Sequence, residues 1–247
     1  ELPVNRLGSA DDSLWTGEIQ EWLSVGANLR SSFQHVDTPG EEESSAFDIT
    51  RGTVYIEASV IPNRLTVYVD QQIAPNASLN REAYVKLATG SQSVQLVAGQ
   101  FYLPYGLRLQ DDTAFVRQAT GINFTNPDRG LQLIYEGGPW STQLSLTNGA
   151  GGGAERDTGK QASWVAAFVR RHWRAGLSFN VNNADVGDRQ MQNVFVGFRT
   201  GPIAWLFEAD LITDDLADRE RDSVAGLAEG NWRPAKGHNL KVTYEYL

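Results

Sequence analysis

The chain has 247 residues, a formal net charge of -9, 41% hydrophobic residues and a mean hydropathy of -0.36. No apolar run approaches the ~18 residues of a membrane-spanning helix, so helical spans are excluded. The absence of cysteine removes disulfides and thiolate metal sites, and the acidic balance argues against a nucleic-acid partner. The length suits one or two soluble domains or one medium barrel.

Apolar residues recur at every second position in segment after segment, as on a strand with one apolar and one polar face. Residues 1–21 are polar and acidic and are expected as a lead-in; Glu18 to Leu23 reads as a turn of helix or the run-in to a strand. The leader of an exported protein would already be gone, since Glu1 to Asn5 has no basic or apolar stretch. Strands are then predicted at about 22–33, 51–60, 64–72 and 80–88. The first alternates Leu23, Val25, Ala27 and Leu29 with polar residues; the second alternates Val54, Ile56, Ala58 and Val60. A fifth strand, about 93–103, loses its alternation near Gly99 to Leu103, where a bulge would fit. The longest connection, about 104–129, follows it. Eight more strands are expected at about 130–136, 140–147, 161–170, 173–182, 189–199, 203–212, 222–231 and 239–247. The acidic stretches Asp210 to Asp215 and Asp218 to Asp222 read as solvated loop.

Short and long connections alternate, as do the periplasmic turns and extracellular loops of outer-membrane barrels. Polar faces carry charges at mid-strand, which a dry core would not tolerate unpaired but a wet lumen would. The inward set comprises Arg30, Lys86, Arg174, Arg199 and Lys241 against Glu57, Asp70, Glu82, Glu136, Glu208, Asp210, Glu229 and Glu245. Trp140, Trp173 and Trp205 near short turns, and Tyr244 and Tyr246 near the far end of the last strand, fit interfacial belts. The competing fold is a soluble sandwich whose apolar faces pack between two sheets. The fold class expected is all-β: a transmembrane antiparallel barrel over 22–247. Thirteen strands are visible, and 14–16 are expected in the complete protein, because closed bacterial barrels have even counts.

Gly99-Gln-Phe-Tyr-Leu-Pro-Tyr-Gly-Leu-Arg108 resembles the Gly-x-Phe-x-x-Pro-x-Gly stretch of the phosphate-selective porin O and P superfamily. Asn239 to Tyr246 resembles a late strand of the same family. The resemblance implies that the 104–129 connection enters the lumen as a constriction. It would bring Arg108, Asp111, Asp112, Arg117 and Asp128-Arg129 there. Phosphate-binding members line that point with basic residues, whereas this loop is mixed in sign and the inward strand charges lean acidic. Phosphate selectivity is therefore not expected.

The function expected is a passive channel for small hydrophilic solutes or ions. The alternative is a structural sheath around a multihaem cytochrome; the chain has no Cys-x-x-Cys-His, so any haem would be the partner's. Besides such a cytochrome, the expected partners are outer-membrane lipid and further copies in a homotrimer. No enzyme site, cofactor or metal site is expected: His35 falls in an outer loop and His172 and His238 in inner turns of the strand plan, no Ser–His pair converges with a carboxylate, and no acidic loop has calcium-loop spacing.

Overall fold

A computed structural model describes residues 15–20, 22–36, 44–75, 80–107, 114–151, 153–185, 187–216 and 219–247. The chain forms β1 (Trp15–Gln20), β2 (Leu23–Val36), β3 (Ser44–Ile61), β4 (Leu65–Ala74), β5 (Asn80–Ala88) and β6 (Val94–Phe101). A short helix, α1 (Phe115–Thr120), precedes β7 (Asp128–Gly137), β8 (Trp140–Thr147), β9 (Gln161–Val169) and β10 (Trp173–Ala184). The last strands are β11 (Gly187–Thr200), β12 (Ile203–Leu216), β13 (Arg219–Trp232) and β14 (Leu240–Tyr246). All 14 lie in one sheet in chain order, each antiparallel to the next. Among the described residues no pairing joins β14 back to β1.

The thirteen predicted strands are β2 to β14. The additional one, β1, pairs with β2 from Trp15↔Ala27 to Gln20↔Leu23. Its sequence hides it: Trp15 and Ile19 are its only strongly apolar residues, and the position between them on that face is Gly17. The predicted lead-in therefore contains a strand, and Glu18 to Gln20 is not helical.

Three further expectations change. The lost alternation at Gly99 to Leu103 is not a bulge, since the β5–β6 and β6–β7 registers run without a shift. The strand ends at Phe101, and residues 101–107 are all buried as the chain turns inward. The connections predicted at 183–188 and 213–221 are mostly strand: β10–β11 pairs as far as Ala184↔Gly187 and β12–β13 as far as Leu216↔Arg219. Cross-strand polar pairs support these extensions. Arg189 binds Asp214, and the Thr213 hydroxyl donates to Asp222 at 2.7 Å. Asp214, Asp215, Glu220 and Asp222 are therefore strand residues, and Asp218 lies outside the described residues.

Burial alternates along the strands with the polarity opposite to that of a soluble sheet. Leu131 and Leu133 are 54% and 46% exposed, while Gln132 between them is 4% exposed. On β11 and β12, Val194 is 61% exposed whereas Asn193 and Asp210 are 3% and 0%. A sandwich would bury the leucines between its sheets. Here the apolar face is continuous on the outside and the polar residues are enclosed, as hydrocarbon surroundings require. The inner face is not uniformly polar, however. Val97, Ile134, Met191 and Ile212 cluster with Phe101, Leu103, Tyr105 and Ile122, and Val165, Ala167 and Phe195 with Leu107. These inward apolar patches lie where the segment between β6 and β7 packs against the wall.

Candidate functional site: an inserted segment docked on the inner wall

The chain between β6 and β7 folds back onto the inner faces of β9 to β13. Its descending part is held by small polar residues that leave room for backbone. The Ser163 hydroxyl donates to the Pro104 carbonyl at 2.8 Å, and the Gly106 N–H donates to Ser178 Oγ at 2.9 Å. The Leu107 N–H points to Glu208 Oε1 at 3.4 Å. Gly106 has φ 61, and a Cβ there would run into Glu208 Oε1. Only glycine fits both the left-handed backbone and the close approach.

Helix α1 carries the anchor. Arg117 donates to Glu208 Oε2 at 2.6 Å, with side chains 1% and 0% exposed. Asn193 Nδ2 donates to Glu208 Oε1 at 3.0 Å and to Asp210 Oδ1 at 2.8 Å, tying both carboxylates to one amide. The Tyr105 hydroxyl lies beside Asp210; burial, then that negative charge, push its pKa well above the ordinary phenol value. The helix stops at Gly121, φ 68, whose N–H returns to the Arg117 carbonyl. The Thr120 carbonyl accepts from Arg189 Nη1 at 3.3 Å, so Arg189 joins α1 to Asp214. At the exit, Asp128 Oδ2 accepts the Gly149 N–H at 2.6 Å and Oδ1 the Arg129 N–H at 2.8 Å.

A second buried ion pair flanks the start of the segment. Arg81 meets Asp70 at 2.9 Å and donates from Nε to the Tyr102 hydroxyl at 3.0 Å. The β4–β5 register shift between Asp70 and Gln71 accounts for it: a bulge sends Arg81 and Glu82, consecutive in sequence, both into the interior. Strict alternation would have put Arg81 outside. Next to this pair, Tyr55, Tyr68 and Tyr84 form a ladder with centroids 6.1 and 5.1 Å apart. On the short-turn side of the segment lies a cavity of about 280 Å³, lined by Glu57, Arg64, Glu82, Tyr84, Lys86 and Glu136 among others.

The structure thus brings together Glu57, Glu82, Lys86 and Glu136 at one cavity, and Glu208, Asp210 and Arg117 at one dock. Asp70 is tied to Arg81. Arg174 is half-buried, with its guanidinium 5.0 Å over the Phe195 ring. Glu229 meets Lys241 at 3.4 Å, and Glu245 is half-buried on β14. Arg30 and Arg199 of the inward set are exposed. Arg199 is exposed at the β11–β12 turn, donating to the Gly201 carbonyl at 2.9 Å. Arg30 is exposed on a ribbon of β2 and β3 that runs past the end of β1 pairing at Ala27.

Of the loop charges, Arg117 is neutralised rather than presented to a lumen. Arg129 is exposed on β7 and donates to Gln100 Oε1 at 3.0 Å. Arg108, Asp111 and Asp112 lie outside the described residues. Of the inward carboxylates expected to face a wet lumen, Asp70, Glu208, Asp210 and Glu229 are buried, and Glu82, also largely buried, still lines the cavity. Ser163, Ser178, Asn193 and Arg189 were not foreseen. Their only sequence signal is a small or polar residue at an inward position, and most inward positions share it.

This fold is that of the outer-membrane porins, all-β barrels whose strands carry the apolar face outward. An anion-selective porin from Comamonas acidovorans superposes with a TM-score of 0.64 at 10% identity, over 90% of this chain and 77% of that one. A loop-deletion form of OmpT, an outer membrane protein of Vibrio cholerae, gives 0.62 at 11% identity over 91% and 80%. A third porin gives 0.57 at 13% over 86% and 80%. No family model matches the chain, and comparison with curated protein sequences gives no match.

Proposed function

We propose that the chain forms the wall of a porin-like channel in a bacterial outer membrane. It would pass small hydrophilic solutes or ions around a segment inserted between β6 and β7. The observation that carries this reading is the inverted polarity together with the docked segment: an apolar outer face suited to lipid, and an inner face that holds a strand-to-strand connection within the enclosure. Such a segment narrows a path without closing the barrel, and its position matches the constriction implied by the likeness of Gly99 to Arg108 to the phosphate-selective porin superfamily.

To this channel we assign a preference for cations. Three carboxylates, Glu57, Glu82 and Glu136, face Arg64 and Lys86 at the cavity, and a negative excess along a narrow path raises the local cation concentration. No observation favours the cytochrome sheath, because the inserted segment takes up interior space that a sheathed partner would need. Assembly as a homotrimer belongs to the same proposal. The test is the reversal potential of reconstituted protein across a KCl gradient. A potential of cation-selective sign supports the assignment; an anion-selective sign removes it.

A further inference from the structure

The short-turn rim of β9 to β14 has a charge pattern separate from the lumen. Three stretches around its turns, residues 158–184, 189–207 and 230–244, contain no Asp or Glu. The turns hold Arg170, Arg171, Arg233 and Lys236, and the end of β11 holds Arg199, all exposed. They are contiguous in space: the Arg199 N–H donates to the His172 carbonyl at 2.8 Å and the Arg233 N–H to the Pro202 carbonyl at 3.1 Å. Among the described residues, no carboxylate lies within ion-pair distance of Arg170, Arg171, Arg233 or Lys236.

Just above this rim, on the outward face, stand Trp140, Trp173, Trp205 and Trp232. Trp140 packs edge-on to Phe168 at 4.8 Å, and Phe168 stacks with Trp173 at 5.6 Å. The Arg170 guanidinium lies 4.6 Å over the Phe168 ring. A cation is thereby held on the outer wall at the depth where tryptophans place the boundary between hydrocarbon and headgroups. Its planar donors are free to take phosphate oxygens while its stem and the ring below stay in apolar surroundings.

We propose that this rim is a binding site for anionic phospholipid headgroups in the leaflet facing the short turns. Arg170 is the anchor, and Arg171, Arg233 and Lys236 supply the surrounding field. Acid-free sequence at three successive turns gives a patch of one sign, and its level in the membrane selects a lipid phosphate over a lumenal solute. The inference rests on the membrane placement proposed above but not on conduction.

The test is native mass spectrometry of the folded protein released from micelles containing equal phosphatidylglycerol and phosphatidylethanolamine. The protein is expected to retain phosphatidylglycerol in preference. An Arg170→Gln, Arg171→Gln, Arg233→Gln variant should bind it more weakly by about fivefold per arginine removed. Arg156→Gln, at the opposite end of the barrel, should leave retention unchanged. If the triple variant does not fold, the wild-type preference for phosphatidylglycerol and its loss at high salt decide the matter. Equal retention of the two lipids, an unchanged triple variant, an equal loss in Arg156→Gln, or displacement of the lipid by equimolar inorganic phosphate would overturn the proposal. A protein that retains the lipid but does not conduct would sink the channel and leave the lipid site standing.

Discussion

Replacing Arg117 by methionine leaves the fully buried Glu208 without its cation. Removing one partner of a buried ion pair costs ~3–5 kcal/mol, because the remaining charge is left uncompensated. Glu208 keeps the Asn193 amide and the Leu107 N–H, which puts the expected cost at the lower end. At 1.4 kcal/mol per tenfold, the ratio of docked to undocked segment falls by on the order of a hundredfold. The charge lies beneath α1, not in the barrel ladder, so the loss should appear as local opening. Hydrogen exchange read by mass spectrometry should show the amides of Gln118 and Gly121, bonded within the segment, exchanging faster by that factor. Strand amides of β10 and β11 should keep their rates. Single-channel conductance should rise and become noisier. The double variant Arg117→Met, Glu208→Gln should recover slow exchange, since it removes the uncompensated charge and keeps a side-chain oxygen to accept from Asn193 and the Leu107 N–H. Wild-type exchange in Arg117→Met would refute the account of the dock. Faster exchange at unchanged conductance would refute the constriction while leaving the dock intact.

Three other outcomes follow from the same geometry. Gly106→Ala places a Cβ on Glu208 Oε1 at a left-handed φ. It should cost at least ~1–2 kcal/mol and raise exchange across 101–107 without unfolding the barrel. Leu133→Arg puts a charge on the outer face near the middle of β7; it should destabilise the folded barrel by ~2–4 kcal/mol in urea titrations in lipid vesicles. Leu133→Phe, which keeps an apolar side chain on the same face, should not. The pair Glu57→Gln, Glu136→Gln removes two carboxylates from the cavity and should move the KCl reversal potential toward anions, whereas Asp188→Asn, exposed at the long-loop end, should leave it in place.

The wall was legible in the sequence because its signal is repeated and local. Leu131, Leu133 and Tyr135 announce their face by period alone, and β5 and β8 match their predicted limits of 80–88 and 140–147. β1 was not legible because six residues with a glycine on the apolar face give too short a period. The strand extensions at β10 to β13 were missed because charged residues such as Arg189, Asp214 and Asp222 look like loop until their cross-strand partners are known. The dock was the least legible part. Arg117 and Glu208 are 91 residues apart, and nothing local marks either as paired. Arg81 is inward only through a bulge, which alternation cannot anticipate. The inserted segment itself could be anticipated, by its length and by the likeness at Gly99 to Arg108, but the serines and asparagine that receive it could not.

An apolar-outside, polar-inside sheet of this kind is expected to conduct. Folded protein added at nanomolar concentration to a planar lipid bilayer in 1 M KCl tests it most directly. Uniform, stepwise increases in current, enlarged by Arg117→Met, are expected. Protein shown to be folded and inserted in the bilayer, yet giving no current steps, would contradict it.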